Sequence, residues 1–333
     1  PGNYGQDHWN LIRGFGHAPN VAFIKVAPMD KHGFFNLGPS ASYERATIDR
    51  CEIVVVEVNT NVPRCLGGNH EQLHVSEVDY IVESSNEPMT ALPIVPPRAE
   101  DEAIANLLVG EIEDGSCLQL GIGGIPNAVG KILADADIKD LGCHSEMIPD
   151  AYVDLYEKGK MSGAQKQIDR YKMVYTFAMG SQKLYDFLDD NPACAAYPVG
   201  YTNHPFIISQ NDKVVSVNNA LQVDLFGQVC SESQGFRHIS GTGGQLDFTL
   251  GATFSKGGKG FICLHSTRQR GGELISRIVP AVNGIVTCPR SYVMNIVTEF
   301  GIAKLKGNPT YEIAENLIAI AHPQFQDELI MKA

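Results

Sequence analysis

The chain has 333 residues, 44% of them hydrophobic and 19% charged, which suits a globular enzyme with material for two cores. Its formal net charge of −12 argues against general nucleic-acid or membrane-surface binding, although local basic residues can still hold a small anionic ligand. No apolar run approaches the roughly 18–20 residues of a membrane span, and no signal peptide is visible.

Pro1 to Gly16 lacks an initiator Met and reads as an interior segment, so a fragment or processed product is expected. Strands are predicted at Val21–Val26, at Glu52–Val58, whose EIVVVEV run suits a buried strand, and at Tyr80–Val82. Pro88 to Pro97 is proline-rich and reads as a linker. Ala99–Glu113 follows as a helix with acidic residues in its first turn. The run LQLGIGGIPNAVG from Leu118 predicts a strand turning through glycines into a helix near Pro126. A second strand, Leu141–Met147, leads into a helix over Asp150–Glu157 with Gly159 in its C-cap. Strands at Val174–Met179, Val214–Val217 and Gly260–His265, and helices at Gln182–Leu188 and Tyr311–Ala321, complete an alternation that implies mostly parallel sheets. The expected architecture is α/β, with residues 1–90 as one unit, 91–98 as linker and 99–333 as the larger unit.

A faint internal echo accompanies this division. Residues 21–33 and 215–227 both run from an apolar strand into an apolar-Asp-x-x-Gly turn, with Asp30 matching Asp224 and Gly33 matching Gly227. Two ordinary strand–turn signals would look the same.

Chemistry concentrates in two glycine clusters and one carboxylate. Gly121, Gly123 and Gly124 lie between a strand and a helix, where the backbone can approach a ligand and helix N–H groups are free. The spacing matches neither GxGxxG nor a P-loop, and a tight turn needing small residues accounts for it equally well. Glu146 follows an apolar strand beside that turn; it is either a solvated strand end or a carboxylate held in a dry pocket, able to attack a thioester carbonyl. In SGTGGQLDF, residues 240–248, Gly241, Gly243 and Gly244 suit a backbone presenting N–H donors to an oxyanion, although a glycine turn before a strand is as common.

Glu232 and Glu299 are rival acids near glycines, and neither has a persuasive paired carboxylate. No HExxH or GxSxG occurs, and His144 reads as a polar group of the pocket. Lys256 and Lys259 in a glycine loop, followed by Arg268 and Arg270, are the local basic residues. The cysteines 51, 65, 117, 143, 194, 230, 263 and 288 show no CxxC spacing, so no disulfide framework and no metal site is expected, and the compartment reads as reducing and cytoplasmic.

These motifs together resemble the family I coenzyme A transferases, the acetyl-CoA hydrolase/transferase branch in particular, with the butyryl-CoA:acetate transferases nearest. The resemblance rests on LQLGIGGIPNAVG, HSEM and SGTGGQLDF. It extends to VAPMDKHGFFNLGPSAS, EVNTNVPRCLGG and HVSEVDYIVE in the first part, and to GKGFICLHST and IAHPQF near the end. It implies two similar open α/β domains, the first short of roughly the first hundred residues at its N-terminus. It also implies ping-pong exchange of CoA between short-chain acids, butyrate and acetate first, with acyl-CoA hydrolysis and a non-catalytic acyl-CoA-binding fragment as alternatives. Glu146 matches the catalytic glutamate, forming an acyl-glutamyl anhydride and then a glutamyl-CoA thioester. The turn of Gly123, Gly124, Ile125, Pro126 and Asn127 matches the CoA-binding loop. Gly244 matches a glycine that contacts CoA and contributes to the oxyanion hole, and Gly243 beside it is a further catalytic candidate. The segment Asn218–Leu221, Leu221 included, resembles another CoA contact, and Lys259 is expected to reach a phosphate. CoA is thus a substrate with no resident cofactor, and homo-oligomers are expected.

Overall fold

The computed structural model describes residues 2–15, 19–93 and 96–333. Helix α1 (Tyr4–Arg13) is capped by Asn3, whose side chain accepts from the Gln6 N–H at 3.0 Å, and is closed by Gly14 at a φ of 75°. Strands β1 (Val21–Val26), β2 (Ile53–Val58) and β3 (Tyr80–Glu83) form a parallel three-stranded sheet in that order. One face buries Ala22, Val26, Val54 and Val56 against Phe35 and Leu73. The other leaves Phe23 and Tyr80 exposed.

Ile94 and Val95 of the expected linker lie outside the described residues. Helix α2 (Ala99–Val109) ends four residues before the expected Glu113. After Gly110 the amides of Glu111 and Ile112 bond three residues back, to Leu108 and Val109, in place of the α-helical four.

The main sheet has six strands. In chain order they are β4 (Cys117–Leu120), β5 (Gly142–Cys143), β9 (Val214–Asn219), β10 (Lys259–Cys263), β13 (Asn295–Thr298) and β14 (Gly301–Lys304). The intervening labels belong to two short pairs, β6 (Met147–Ile148) with β8 (Phe177–Ala178), and β7 (Met173–Tyr175) with Cys194–Ala196, and to a hairpin of β11 (Thr267–Arg270) and β12 (Glu273–Ser276). Across the main sheet the order is β14–β13–β10–β9–β4–β5, parallel except for β13–β14. The sheet's core is Leu118, Leu120, Val215, Val217 and Phe261, packed against Ile104 and Leu108 of α2. Ile125, Val129 and Leu133 of α3 (Gly124–Asp135), and Tyr152 of α4 (Asp150–Glu157), close it. The fold is mixed α/β with mostly parallel sheets.

Two predicted strands are each broken in two. Leu141–Met147 pairs with β4 only through Cys143, and the His144 amide still reaches the Leu118 carbonyl at 3.2 Å. The Ser145 amide then donates to Val174 at 2.9 Å, and Met147 pairs with Phe177. The predicted strand Val174–Met179 splits at the same place, into β7 and β8. The chain crosses there from the edge of the main sheet to a separate pair, and Glu146 is the crossing residue. The glycine cluster 240–244 leads into helix α5 (Gln245–Phe254), and not into a strand.

The echo seen in sequence is realised in hydrogen bonds. Asp30 Oδ1 accepts from the His32 and Phe34 amides at 2.9 Å each, and Asp224 Oδ1 accepts from Phe226 at 3.0 Å and Gln228 at 2.9 Å. Gly33 and Gly227 each donate back to the aspartate carbonyl, at φ of 87° and 86°. Both turns need the glycine, because an L side chain is strained at that φ.

Candidate active site

The carboxyl edge of the main sheet, where ligands bind in open α/β sheets, borders a cavity of about 880 Å³. Gly121 and Ile122 enter it from the turn after β4, Asn218 and Asn219 from the end of β9, and Gly243 and Gly244 from the turn before α5. Phe177, Met179 and Tyr4 supply apolar wall, and Glu146 projects among them. The sequence-predicted nucleophile and both glycine turns therefore meet in one cavity.

Glu146 is fixed through its backbone and through one side-chain partner. Its carbonyl accepts from the Thr176 and Phe177 amides at 3.0 and 3.2 Å. Asn203 Nδ2 donates to Oε2. Burial pushes the carboxyl above its ordinary range, and the Asn203 amide pulls it back toward the charged form. A carboxylate stripped of water in this way is a stronger nucleophile than one in bulk solvent, and the Asn203 hydrogen bond favours its charged form. Asp247, buried on the first turn of α5, is pushed up to about 7 by burial, with the Glu146 charge adding to the shift and Asn3 opposing it.

Gly244 is needed for packing against the carboxylate itself. A Cβ there would lie 2.1 Å from Glu146 Oε2 and 2.3 Å from Asn203 Nδ2. Gly243 sits at a φ of 65°, and its carbonyl accepts from the Tyr4 amide at 3.1 Å, tying the N-terminal segment to the turn. Gly123 caps α3 at a φ of 112°. Gly124 is small for a different reason from the expected one: its Cβ would meet Asp101 Oδ2 at 2.1 Å, so Asp101 and not a ligand demands the glycine. Ile125 and Pro126 are buried in the core side of α3, and none of Gly123, Gly124, Ile125, Pro126 and Asn127 lines the cavity as Gly121 and Ile122 do. Any contact from this turn to a ligand would come through its backbone.

Other expected residues are placed elsewhere. Leu221 turns away, its amide donating to Cys230 at 2.9 Å, while Asn218 and Asn219 face the cavity. Lys259 bonds the Glu111 carbonyl at 2.8 Å and its carboxylate at 3.0 Å. It starts β10, at the amino edge of the main sheet, roughly 13 Å by strand rise from the carboxyl edge that the cavity borders. It is a structural ion pair and not a phosphate ligand of this cavity. Lys256 is an exposed partner of Asp212. Glu232 is buried under the Thr287 hydroxyl, and Glu299 accepts from the Ser266 amide at 2.9 Å. Neither lines the cavity.

His144 is not a polar group of the pocket. It is buried behind the site, where burial pushes its pKa down to about 3 and its Nε2 bonds the Thr202 carbonyl at 2.8 Å. That bond braces the residue before Asn203. Sequence reasoning missed Asn203, which sits between two short helices and outside any glycine cluster. It also missed Tyr4, whose hydroxyl bonds Ser42, and Gln119, a lining residue whose Oε1 accepts from Ser216 at 2.8 Å and Asn218 at 3.1 Å.

Replacing Asn203 by Ala removes the donor that favours the carboxylate. The expected result is a fall in kcat of about 10- to 100-fold, with the acid limb of the pH–rate profile moved to higher pH. An unmoved acid limb would show that the amide does not set the charge state of Glu146.

Residues 12–96 match the acetyl-CoA hydrolase/transferase N-terminal domain, and residues 180–333 match the C-terminal domain of the same family. The chain is 52% identical over 318 residues to the butyryl-CoA:acetate CoA-transferase of Anaerostipes caccae, covering 94% of this chain and 71% of that one. It belongs to the acetyl-CoA hydrolase/transferase family. Within that family it is also 46% identical over 329 residues to the succinyl-CoA:cyclohexane-1-carboxylate CoA transferase of Geobacter metallireducens, covering 98% and 74% of the two chains. A crystal structure of RipA from Yersinia pestis superposes on this family member with a TM-score of 0.93 at 41% identity, over 100% of this chain and 74% of the other. Among the described residues no helix is long and apolar enough to cross a membrane.

Proposed function

We propose that this CoA-transferase-type enzyme moves CoA from butyryl-CoA to acetate through covalent intermediates on Glu146. The carrying observation is the Glu146 carboxylate, pressed against Gly244 and held by Asn203 inside a cavity walled by two glycine turns. The acids are those in the name of the Anaerostipes caccae relative.

In the first step a Glu146 oxygen attacks the thioester carbonyl, the C–S bond breaks and CoA thiolate leaves, giving a butyryl-glutamyl anhydride. The thiolate then attacks the glutamyl carbonyl and expels butyrate, leaving glutamyl-CoA thioester. Acetate attacks that thioester, and the returning thiolate takes the acetyl group from the new anhydride. Acetyl-CoA leaves and Glu146 is restored as a carboxylate. No proton is consumed, and each bond broken is matched by one of similar energy, because the glutamate pKa of about 4.3 lies near those of simple fatty acids. The backbone N–H groups at the start of α5 favour the tetrahedral oxyanions, and the apolar wall limits attack on the anhydride by water.

Incubation with butyryl-CoA and no acceptor, followed by intact-mass and peptide analysis, tests this. A mass gain of CoA less water on the peptide carrying Glu146 is expected, discharged by acetate. Free CoA accumulating with no adduct would indicate hydrolysis, and binding with neither outcome would indicate a non-catalytic chain.

A further inference from the structure

The hairpin of β11 and β12 rises beyond the carboxyl end of β10, past His265 and Ser266. Its register sets Thr267 opposite Ser276, Arg268 opposite Ile275 and Arg270 opposite Glu273. The Arg277 amide donates to Ser266 at 2.8 Å and extends the ladder one step. Side chains alternate along strands, so Arg268, Arg270 and Arg277 share one face, with Arg277 diagonal to Arg268 at about 7–8 Å.

This face carries three arginines against one cross-strand carboxylate, Glu273, in a chain of net charge −12. Among the described residues Arg98, Arg268 and Arg277 make no ion pair, and Arg277 Nε is buried without a hydrogen-bond partner. Burial, then the charges of Arg268 and Arg98, depress the Arg277 guanidinium, with Glu299 opposing. Glu299 is already held by the amide and hydroxyl of Ser266. Arg268 faces the Gln234 carboxamide, whose oxygen accepts from Nη1 at 2.9 Å in the orientation that satisfies both groups.

The face is also continuous with the active site. Asp101 accepts from the Arg98 amide at 2.8 Å and bonds His265 Nε2 at 2.7 Å, while it abuts Gly124. Along the sheet edge β10 stands two strands from β4, roughly 10 Å. The hairpin bearing Gln234 leads directly into Ser240–Gly244 of the cavity lining.

We propose that the Arg98, Arg268 and Arg277 cluster is a phosphate site that receives the phosphate-bearing end of the CoA substrate while its thioester end lies at Glu146. It rests on the transferase reading above. Guanidinium forks bind phosphate oxygens in pairs. A ligand phosphate would satisfy the orphaned Arg277 Nε and relieve the mutual repulsion of the three arginines. Binding energy gained there, remote from the reacting atoms, can be used to press the thioester onto the carboxylate.

The test is calorimetric titration of the whole protein with adenosine 3′,5′-bisphosphate, which carries ligand phosphates but no thioester, in the wild type, R268Q and R98Q/R268Q, with unfolding midpoints as a control for folding. Bisphosphate binding that competes with butyryl-CoA and weakens about 10- to 100-fold in the variants is expected. Binding unchanged by the substitutions overturns the site. Binding of inorganic phosphate that depends on the arginines yet leaves butyryl-CoA affinity untouched overturns the CoA assignment in favour of a free-phosphate site. Arginine-dependent bisphosphate binding in a protein that forms no adduct on Glu146 would uphold the site and refute the transferase chemistry, so the two readings fail separately.

Discussion

Glu146→Gln is expected to eliminate the CoA adduct and to lower transfer by about four orders of magnitude, with CoA affinity retained. The carboxamide has nearly the shape of the carboxylate and keeps a hydrogen-bonding oxygen for Asn203, so packing is preserved while the nucleophile is lost. Glu232→Gln is the matched control, because that carboxylate lies under Thr287 and outside the cavity lining. An adduct that persists in Glu146→Gln would make Glu232 the better candidate and refute the assignment.

The second large effect belongs to Gly244→Ala. The added methyl would stand 2.1 Å from Glu146 Oε2 and 2.3 Å from Asn203 Nδ2, so carboxylate and amide must both move. Overpacking of this kind costs about 1–3 kcal/mol of stability. The larger consequence is catalytic: displacement of the nucleophile, together with movement of the helix start that faces the oxyanion, predicts a loss in kcat of about 10²- to 10³-fold. Gly121→Ala is the informative comparison, because a Cβ there meets nothing within 4 Å. A Gly244→Ala enzyme with near-normal kcat would mean that the carboxylate works from another position.

Glycines and the one strand-end glutamate were legible in the sequence because each breaks a local pattern. Gly121 interrupts an apolar run, Gly243 and Gly244 form a cluster within a polar stretch, and Glu146 follows a strand end. The Asp30 and Asp224 turns were legible for the same reason, and their hydrogen bonds coincide to a tenth or two of an ångström. What escaped was decided by tertiary contact. The break in Leu141–Met147 falls at His144–Glu146, where no proline or glycine marks it, since the chain simply changes pairing partner at Glu146. Asn203 and Tyr4 reach the site from segments distant in sequence, and nothing local distinguishes them from other polar and aromatic residues. Lys259 misled because a lysine among glycines suggests a phosphate loop, whereas strand direction puts it at the wrong end of β10.

That change of partner at Glu146 bears on how the family can diversify. Backbone bonds from Thr176 and Phe177 and to Val174 hold the nucleophile's segment on both sides. On the proposed transferase reading the Glu146 carboxylate is a fixed coordinate, and accommodation of differently sized acids would fall to the side chains of Ile122, Phe177 and Met179 around it. On that reading, drift at those wall positions would change which acid is accepted while the placement of Glu146 is inherited intact.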